Sequence, residues 1–440
     1  PTWQQPVTPR WYEGPLLGNG DLGLVVFGDD ERLTFAVGKN DVWDRRLLTK
    51  LQKPLMFQNH INHDVSRITD KLNCPATEWE TLPPSNHRRY IQPKPVCRIE
   101  LNPAGKIEHR LSLADAELTT TGKALRVASR VQKDKNVVVI EFETGEKPIT
   151  LRLHRPADTA GTGIAPPTHR VEGETAFVIQ DLPAETTYPK GFRVVVTARV
   201  EGAAAPRCSG TDVTWIVAGK ARLFVAVATT RDAGNPESAA RKLLAGNADA
   251  LRRRHRQLWR EFWERSWIRL SDPLLQDLWY MQHYLLACAT RPGAVAPGLF
   301  GPWIVNDVTM WNNSYTNDYN FEQAFAAALS SNRPELLEAY LETIERLLPA
   351  AREWAREIYG AEGMAFGHEL FPVDMRGQMR GNMVYVVETP FLAQHFWEHY
   401  EYTQDRKFLR RRAYPVVAGV ADFLASFVTE TKPGRFEFIP

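Results

Sequence analysis

The sequence predicts a two-part protein: an antiparallel β sandwich over the first half and an almost wholly helical array after it. Three observations carry that prediction. From Leu16 to about Ala228 the chain is a succession of β-branched and aromatic runs bounded by Gly, Asp and Pro turns, with few helical intervals. At Asn235 to Ser238 the period changes, because Pro236-Glu237-Ser238 has the composition of a helix start and apolar residues then recur at helical spacing. Beyond Ser271 helical stripes dominate. The expected division is 1–230 for the β domain, 231–270 for a helical linker, and 271–440 for the helical domain.

The strand runs are Leu22 to Phe27, Leu33 to Val37, Val137 to Phe142, Phe192 to Val200 and Leu223 to Val227. Many such strands in sequence indicate a large antiparallel sandwich. Asn40 to Pro95 is less regular and is expected to form a long excursion from it. The linker keeps Leu243, Leu244, Leu251, Leu258, Phe262 and Trp263 on helical faces, as one helix or a pair. In the last part Leu274, Leu275, Leu278, Trp279, Leu285 and Leu286 form one stripe, and Leu336 to Leu348 another. Thr389-Pro390 starts a third helix carrying Phe391, Leu392 and Phe396, and Val416 to Phe427 marks a fourth. All four stripes are expected to be core. Helices separated by long polar, aromatic loops suggest hairpins whose loops gather at one end, and the array stops at Phe436-Glu437-Phe438-Ile439-Pro440 without a closing element.

At 440 residues, 43% hydrophobic and 24% charged, the chain has ample material for a core. Its net charge of +2 comes from interspersed residues, and the runs Arg252-Arg253-Arg254 and Arg410-Arg411-Arg412 fall within helical patterns, so nucleic acid is not an expected partner. Cys74, Cys97, Cys208 and Cys288 are too scattered for a metal site or a disulfide framework. No apolar run is long enough to span a membrane. The chain opens at Pro1 rather than Met, as a processed or trimmed polypeptide does, which leaves a removed export signal open.

The densest chemistry lies between Gly301 and Asn320. Trp303, Trp311, Tyr315 and Tyr319 offer flat apolar faces for sugar rings, while Asn312, Asn317 and Asn320 offer planar donors and acceptors for hydroxyls. An apolar core does not tolerate so many unpaired amides. The competing reading is that Asn317 or Asp318 only caps the helix opening near Phe321. Asp307 and Asp318 together are a possible structural cation pair, although no metal or other cofactor is required. Gly18-Asn19-Gly20-Asp21-Leu22-Gly23 fits the dinucleotide pattern, with Asp41 at a suitable distance, but it runs into β-type residues rather than a helix N-terminus. Its glycines are better explained by tight turns with positive φ at a sheet edge.

The same segment, Leu16 to Gly23 followed by Gly38-Lys39-Asn40-Asp41-Val42-Trp43-Asp44, resembles the start of glycoside hydrolase family 95, the inverting α-L-fucosidases and α-L-galactosidases. Three later blocks agree in order: Ala289-Thr290-Arg291-Pro292-Gly293 with Leu299 to Trp303, then Thr316 to Leu336, then Phe396-Trp397-Glu398-His399-Tyr400-Glu401-Tyr402-Thr403-Gln404-Asp405. The resemblance implies an N-terminal β-supersandwich, a helical linker and an (α/α) six-hairpin toroid truncated at its C-terminus. It also implies an oligosaccharide or polysaccharide substrate and favours a secreted or periplasmic protein. Oligomeric state is not implied.

An inverting glycosidase needs an acid for the leaving oxygen and a base that activates water on the opposite face. In the family two Asn of an N-x-N motif hold the water, and aligning on Asn332 to Leu336 puts Asp318 on the first and Asn320 on the second. Thr316 then takes the position where fucosidases tend to have His, which makes a sugar with a hydroxymethyl group, such as L-galactose, as suitable as fucose. The family's acid and late Asp are expected beyond Pro440. Within the chain, Glu369, Asp374 and Glu388 are the substitute acids, with the helix dipole expected to lower the pKa of Glu388. His368 falls in a His-rich family segment, and Arg376 and Arg380 are candidates for binding substrate hydroxyls or carboxylates. The full candidate set is Asp318, Asn320, Glu369 and Glu388 for catalysis, and Trp303, Trp311, Asn312, Tyr315, Thr316, His368 and Arg376 for substrate. A phosphorylase or a non-catalytic glycan-binding protein are the alternatives, since architecture alone does not decide the reaction.

Overall fold

The computed structural model describes residues 2–46, 91–103, 105–158, 161–372 and 386–438. It divides into two compact units, the first comprising 1–46 and 92–312, the second 47–91 and 313–440. The excursion expected between Asn40 and Pro95 falls mostly outside the described residues, as do Cys74, Asp374, Arg376 and Arg380.

The first unit is built on one antiparallel sheet of fifteen strands: β1 (Thr2–Pro6), β2 (Leu16–Gly18), β3 (Leu22–Gly28), β4 (Leu33–Lys39), β5 (Cys97–Leu101), β6 (Ile107–Ser112), β7 (Glu117–Gly122), β8 (Leu125–Val131), β9 (Val137–Thr144), β10 (Ile149–His154), β11 (Thr168–Glu172), β12 (Thr175–Leu182), β13 (Phe192–Ala203), β14 (Arg207–Cys208) and β15 (Val213–Thr229). The main path runs β1-β6-β7-β8-β9-β15-β10-β5-β4-β3-β2, with β11 to β14 branching from it. The 17-residue β15 is the junction. Its first half pairs with β10 and β14, and its second half with β9 and β13. Gly219, at φ 69°, separates the two halves, where its N–H donates to Thr144 Oγ1 at 2.7 Å.

Leu223 to Thr229 is buried on both faces, so it reads as a continuous apolar run rather than an alternating one. Two helices contribute to that burial. In α1 (Pro236–Leu243), Ala240 packs on Phe177, Val195 and Ala228, while Leu244 just after it and Ala248 and Leu251 of α2 (Ala248–Glu264) pack on Val137, Val139, Phe224 and Ala226. Asn235 and Asn247 cap the two helices through their side chains. In α3 (Pro273–Ala289) the sequence expectation fails in part: Leu274, Leu275 and Leu278 are 66%, 55% and 47% exposed, and only the second half of the helix, from His283, is core. Helical periodicity marks an apolar stripe without showing what covers it.

The glycine-rich segment is a β2–β3 edge hairpin, as its β-type residues indicate. Gly20 has φ 93°. Gly18 and Gly23 serve a different purpose: a Cβ on Gly18 would overlap the Cys288 carbonyl, and one on Gly23 would overlap Pro302. Asp41 belongs to a buried ion cluster. Lys39 Nζ lies 3.0 Å from Asp21, 2.9 Å from Asp41 and 3.3 Å from Asp232. Asn136 and Arg291 also bond Asp21, and Thr229 bonds Asp41. Burial pushes the Asp41 carboxyl up, while Asp21 is held low, against the burial that would raise it, by the Lys39 and Arg291 charges.

The described part of the second unit includes a short strand pair, β16 (Tyr315–Thr316) and β17 (Glu369–Leu370), and, among its helices, α4 (Asn320–Gln323), α5 (Glu338–Trp354), α6 (Glu388–Thr403) and α7 (Tyr414–Phe427). The three long helices lie where the sequence stripes place them, and Leu336, Leu341, Ile344, Leu392, Phe396, Val420 and Phe423 are buried. Met364 N–H donates to the Gly419 carbonyl at 2.8 Å, a crossing that Gly363 and Gly419 permit by lacking side chains. Among the described residues, no helix is long and apolar enough to cross a membrane. Cys97, Cys208 and Cys288 are free thiols.

Removing the ammonium of the first unit leaves Asp21 and Asp41 buried against each other. Lys39→Met is expected to destabilise this unit by about 3–5 kcal/mol, whereas Asp232→Asn, at the partly exposed rim, should cost much less. Urea unfolding monitored by tryptophan fluorescence measures both.

Candidate active site

The candidate site is assembled within the second unit from the strand pair, the turn that follows it and the start of α6. Pairing of Tyr315 with Leu370 and Thr316 with Glu369 brings segment 315–320 alongside Gly367 and His368. The Asn317 N–H donates to the His368 carbonyl at 2.7 Å and its Nδ2 to the Gly367 carbonyl at 3.3 Å. The Nδ2 of Asn317 is therefore taken by this neighbouring backbone, while its buried Oδ1 accepts no hydrogen bond among the described residues. Tyr319 holds the N-cap position of α4 without a side-chain bond, so neither Asn317 nor Asp318 acts as the helix cap. Asp318, Tyr319 and Asn320 are all exposed.

An aromatic stack anchors the segment from below. Tyr315 stacks on Phe321 at 4.4 Å between ring centroids, Phe321 meets Phe325 and Tyr340, and Tyr340 meets His395 edge-on at 5.1 Å. Tyr315 is wholly buried, which corrects its assignment as a sugar platform: its ring is core. Tyr319 and Trp311, each 57% exposed, keep open aromatic faces. Trp311, Asn312 and Asn313 have consecutive φ values of 48°, 54° and 54°, a left-handed turn that costs L-residues roughly 1–2 kcal/mol each. Asn312, in the first unit, is buried and accepts a hydrogen bond from Gln92. Trp303, also of the first unit, packs against Val25, Ala36 and Val305, and its indole N–H donates to the Leu17 carbonyl at 2.8 Å. That donor is already used. Thr316 Oγ1 lies 3.1 Å from Ser314 Oγ.

Three carboxyl groups influence one another here. Glu388 is buried in the first turn of α6, with Oε1 2.7 Å from His368 Nδ1 and Oε2 accepting no hydrogen bond among the described residues. Its pKa is raised, chiefly by burial and further by the charge of Asp318, with His368 opposing. This corrects the expectation of a lowered value, because desolvation outweighs the helix terminus. Glu322, in α4, is 1% exposed, and neither of its carboxyl oxygens has a hydrogen bond from another residue among the described residues. Burial pushes its pKa up to about 8, reinforced by Asp318 and Glu388 and opposed by its own backbone N–H and by His368.

Glu322 was not among the sequence candidates. A signal was present, since Glu322, Phe325 and Leu329 share one helical face, and an acid on such a face is out of place. The backbone of Glu369 is in β17, while its side chain and Arg376 lie outside the described residues. No cluster of three metal-ligating side chains occurs among the described residues.

Residues 244–439 match the model of the Glycosyl hydrolase family 95 catalytic domain. An "Alpha-L-fucosidase 2" of Arabidopsis thaliana is 28% identical over 175 residues, 39% of this chain and 21% of that protein. A "Probable alpha-fucosidase A" of Aspergillus niger is 26% identical over 166 residues, 37% of this chain and 21% of that protein. The aligned part is thus about a fifth of each relative's length. In three dimensions the chain is similar to a "Putative kojibiose phosphorylase from human microbiome", with a TM-score of 0.62 at 13% identity over 96% of this chain and 58% of that one. That likeness is one of fold.

The aromatic stack should be the local determinant of the site's geometry. Phe321→Ala is expected to cost about 3–5 kcal/mol and to release α4, read as faster amide exchange at Asn320 to Gln323 than in α7.

Proposed function

We propose that this chain, whose residues 244–439 carry a glycosyl hydrolase family 95 catalytic-domain sequence, is the catalytic part of an enzyme that removes terminal α-linked L-fucose or L-galactose type residues from glycans with inversion. The observation that carries the reading is the exposed Asp318–Asn320 segment set beside two buried carboxyls with raised pKa values. Inverting hydrolysis needs one carboxyl that bears a proton and one that accepts a proton from water. Asp318 polarises the attacking water and Asn320 orients it. Glu388, beside His368, is the carboxyl of the sequence-derived set whose environment favours the proton-bearing form.

Around these groups Tyr319 supplies an aromatic face for a sugar ring, and Thr316 leaves the space that a hydroxymethyl group requires. The architecture that fits is a β-supersandwich over 1–230, a helical linker over 231–270 and the first part of an (α/α) six-hairpin toroid over 271–440. Its support is the sheet and helices of the chain itself, together with the likeness in fold to a longer protein. Because that neighbour is named a phosphorylase, phosphorolysis is the second reading, and strict dependence of turnover on inorganic phosphate selects it.

On aryl α-L-fucoside and aryl α-L-galactoside, Asp318→Asn and Asn320→Ala should each lower kcat by at least about tenfold. If both variants turn over within a factor of two of the parent, Asp318 and Asn320 do not position the water.

A further inference from the structure

Glu322 has no counterpart in the roles assigned so far, and its surroundings are unusual for a carboxyl. It is 1% exposed, and neither oxygen accepts a hydrogen bond from another residue among the described residues. The groups that face it come from every element packed around α4. Asp318 lies in the preceding turn, His368 precedes β17, Glu388 is on α6 and Tyr340 is on α5. His395 of α6 places Nε2 2.8 Å from the Glu322 carbonyl oxygen, while its Nδ1 is 2.8 Å from Glu398 Oε2. That contact fixes the backbone of α4. His368 has Nδ1 against Glu388. An ionised Glu322 would therefore be a further buried negative charge between Asp318 and Glu388, with no cation on its own oxygens.

We propose that Glu322 is a positioning residue of this site, a buried neutral acid whose proton keeps the arrangement of Asp318, His368 and Glu388 intact and whose ionisation disables it. The proposal rests on the hydrolase reading only for its effect on turnover; the protonation of Glu322 stands independently of it. The geometry supplies the reason. Burial removes solvation from the carboxylate, and the two neighbouring carboxyls repel it, so the proton stays on Glu322 until about pH 8. Loss of that proton adds charge beside Asp318 and Glu388 and raises the proton affinity of both. The step breaks the carboxyl O–H bond alone, and the proton passes to water.

The sign of the linkage follows. The folded-state pKa lies above the ordinary value of 4.5, so the stabilisation due to this proton is complete below about pH 4.5 and is lost progressively as pH rises toward about 8. Glu322→Gln is neutral at every pH and removes that slope.

The test uses the full chain with two readouts. In the first, the melting temperature of the parent falls between about pH 5 and pH 8 by more than that of Glu322→Gln. In the second, the ratio of kcat on an aryl α-L-glycoside at about pH 9 to that at about pH 6.5 rises by at least about tenfold in Glu322→Gln over the parent. An unchanged ratio overturns the positioning role, and so does a loss of turnover in Glu322→Gln that is equally deep at every pH, which would make Glu322 a proton donor in the reaction. If the parent has no turnover on any such glycoside, the hydrolase reading fails and melting decides alone: equal slopes for parent and variant overturn the buried proton.

Discussion

The segments around the edge hairpin of the first unit are held by the Lys39 ammonium. Lys39 Nζ is fully buried at the end of β4 and satisfies carboxylates from three places in the sequence: Asp21 in the edge hairpin, Asp41 in the turn after β4, and Asp232 just beyond β15. Arg291 and Asn136 complete the same network from the segment after α3 and from the start of β9. Burying so many charges is tolerated only because every carboxylate has a partner, so the cluster constrains where each of these chain segments can lie. The close approaches of Cys288 to Gly18 and of Pro302 to Gly23 occur in the same region, and the ion cluster gives them a fixed reference.

In the second unit the buried carboxyls have fewer cationic partners. Glu388 has one imidazole for two oxygens, and Glu322 has no side-chain hydrogen bond among the described residues. Such groups persist when the packing beneath them is strong enough to offset their desolvation. The stack of Tyr315, Phe321, Phe325 and Tyr340 provides that packing. Strong packing below and sparsely paired acids above is a common arrangement for a site that needs carboxyls with raised proton affinity. The exposed Asp318 completes the set, since it is the member that meets solvent.

Much of this was legible in the chain itself. Five strands of the sheet, the start of α1 at Pro236 and the three long helices of the second unit follow from local periodicity and turn chemistry, which act over a few residues. The segment from Trp311 to Asn320 stood out by composition; it makes a left-handed turn at 311–313 and ends in three exposed residues. Tyr315 did not behave as expected, because an aromatic residue suits a sugar platform and a core equally well, and its burial depends on Phe321 and Leu370 arriving from other elements. The Leu274–Leu278 stripe fails for a related reason: amphipathic spacing specifies a face without specifying its cover.

The amino-acid order by itself therefore determined element type and the location of the candidate carbohydrate chemistry, since both are encoded in short-range pattern and residue identity. Tertiary structure decided which polar groups are desolvated and beside what. Burial pushes the Glu322 carboxyl up, reverses the shift expected of Glu388, and holds the Asn317 Nδ2 against the Gly367 carbonyl. Desolvation and Coulomb energy depend on neighbours brought together from distant parts of the chain, which no local reading of the sequence contains.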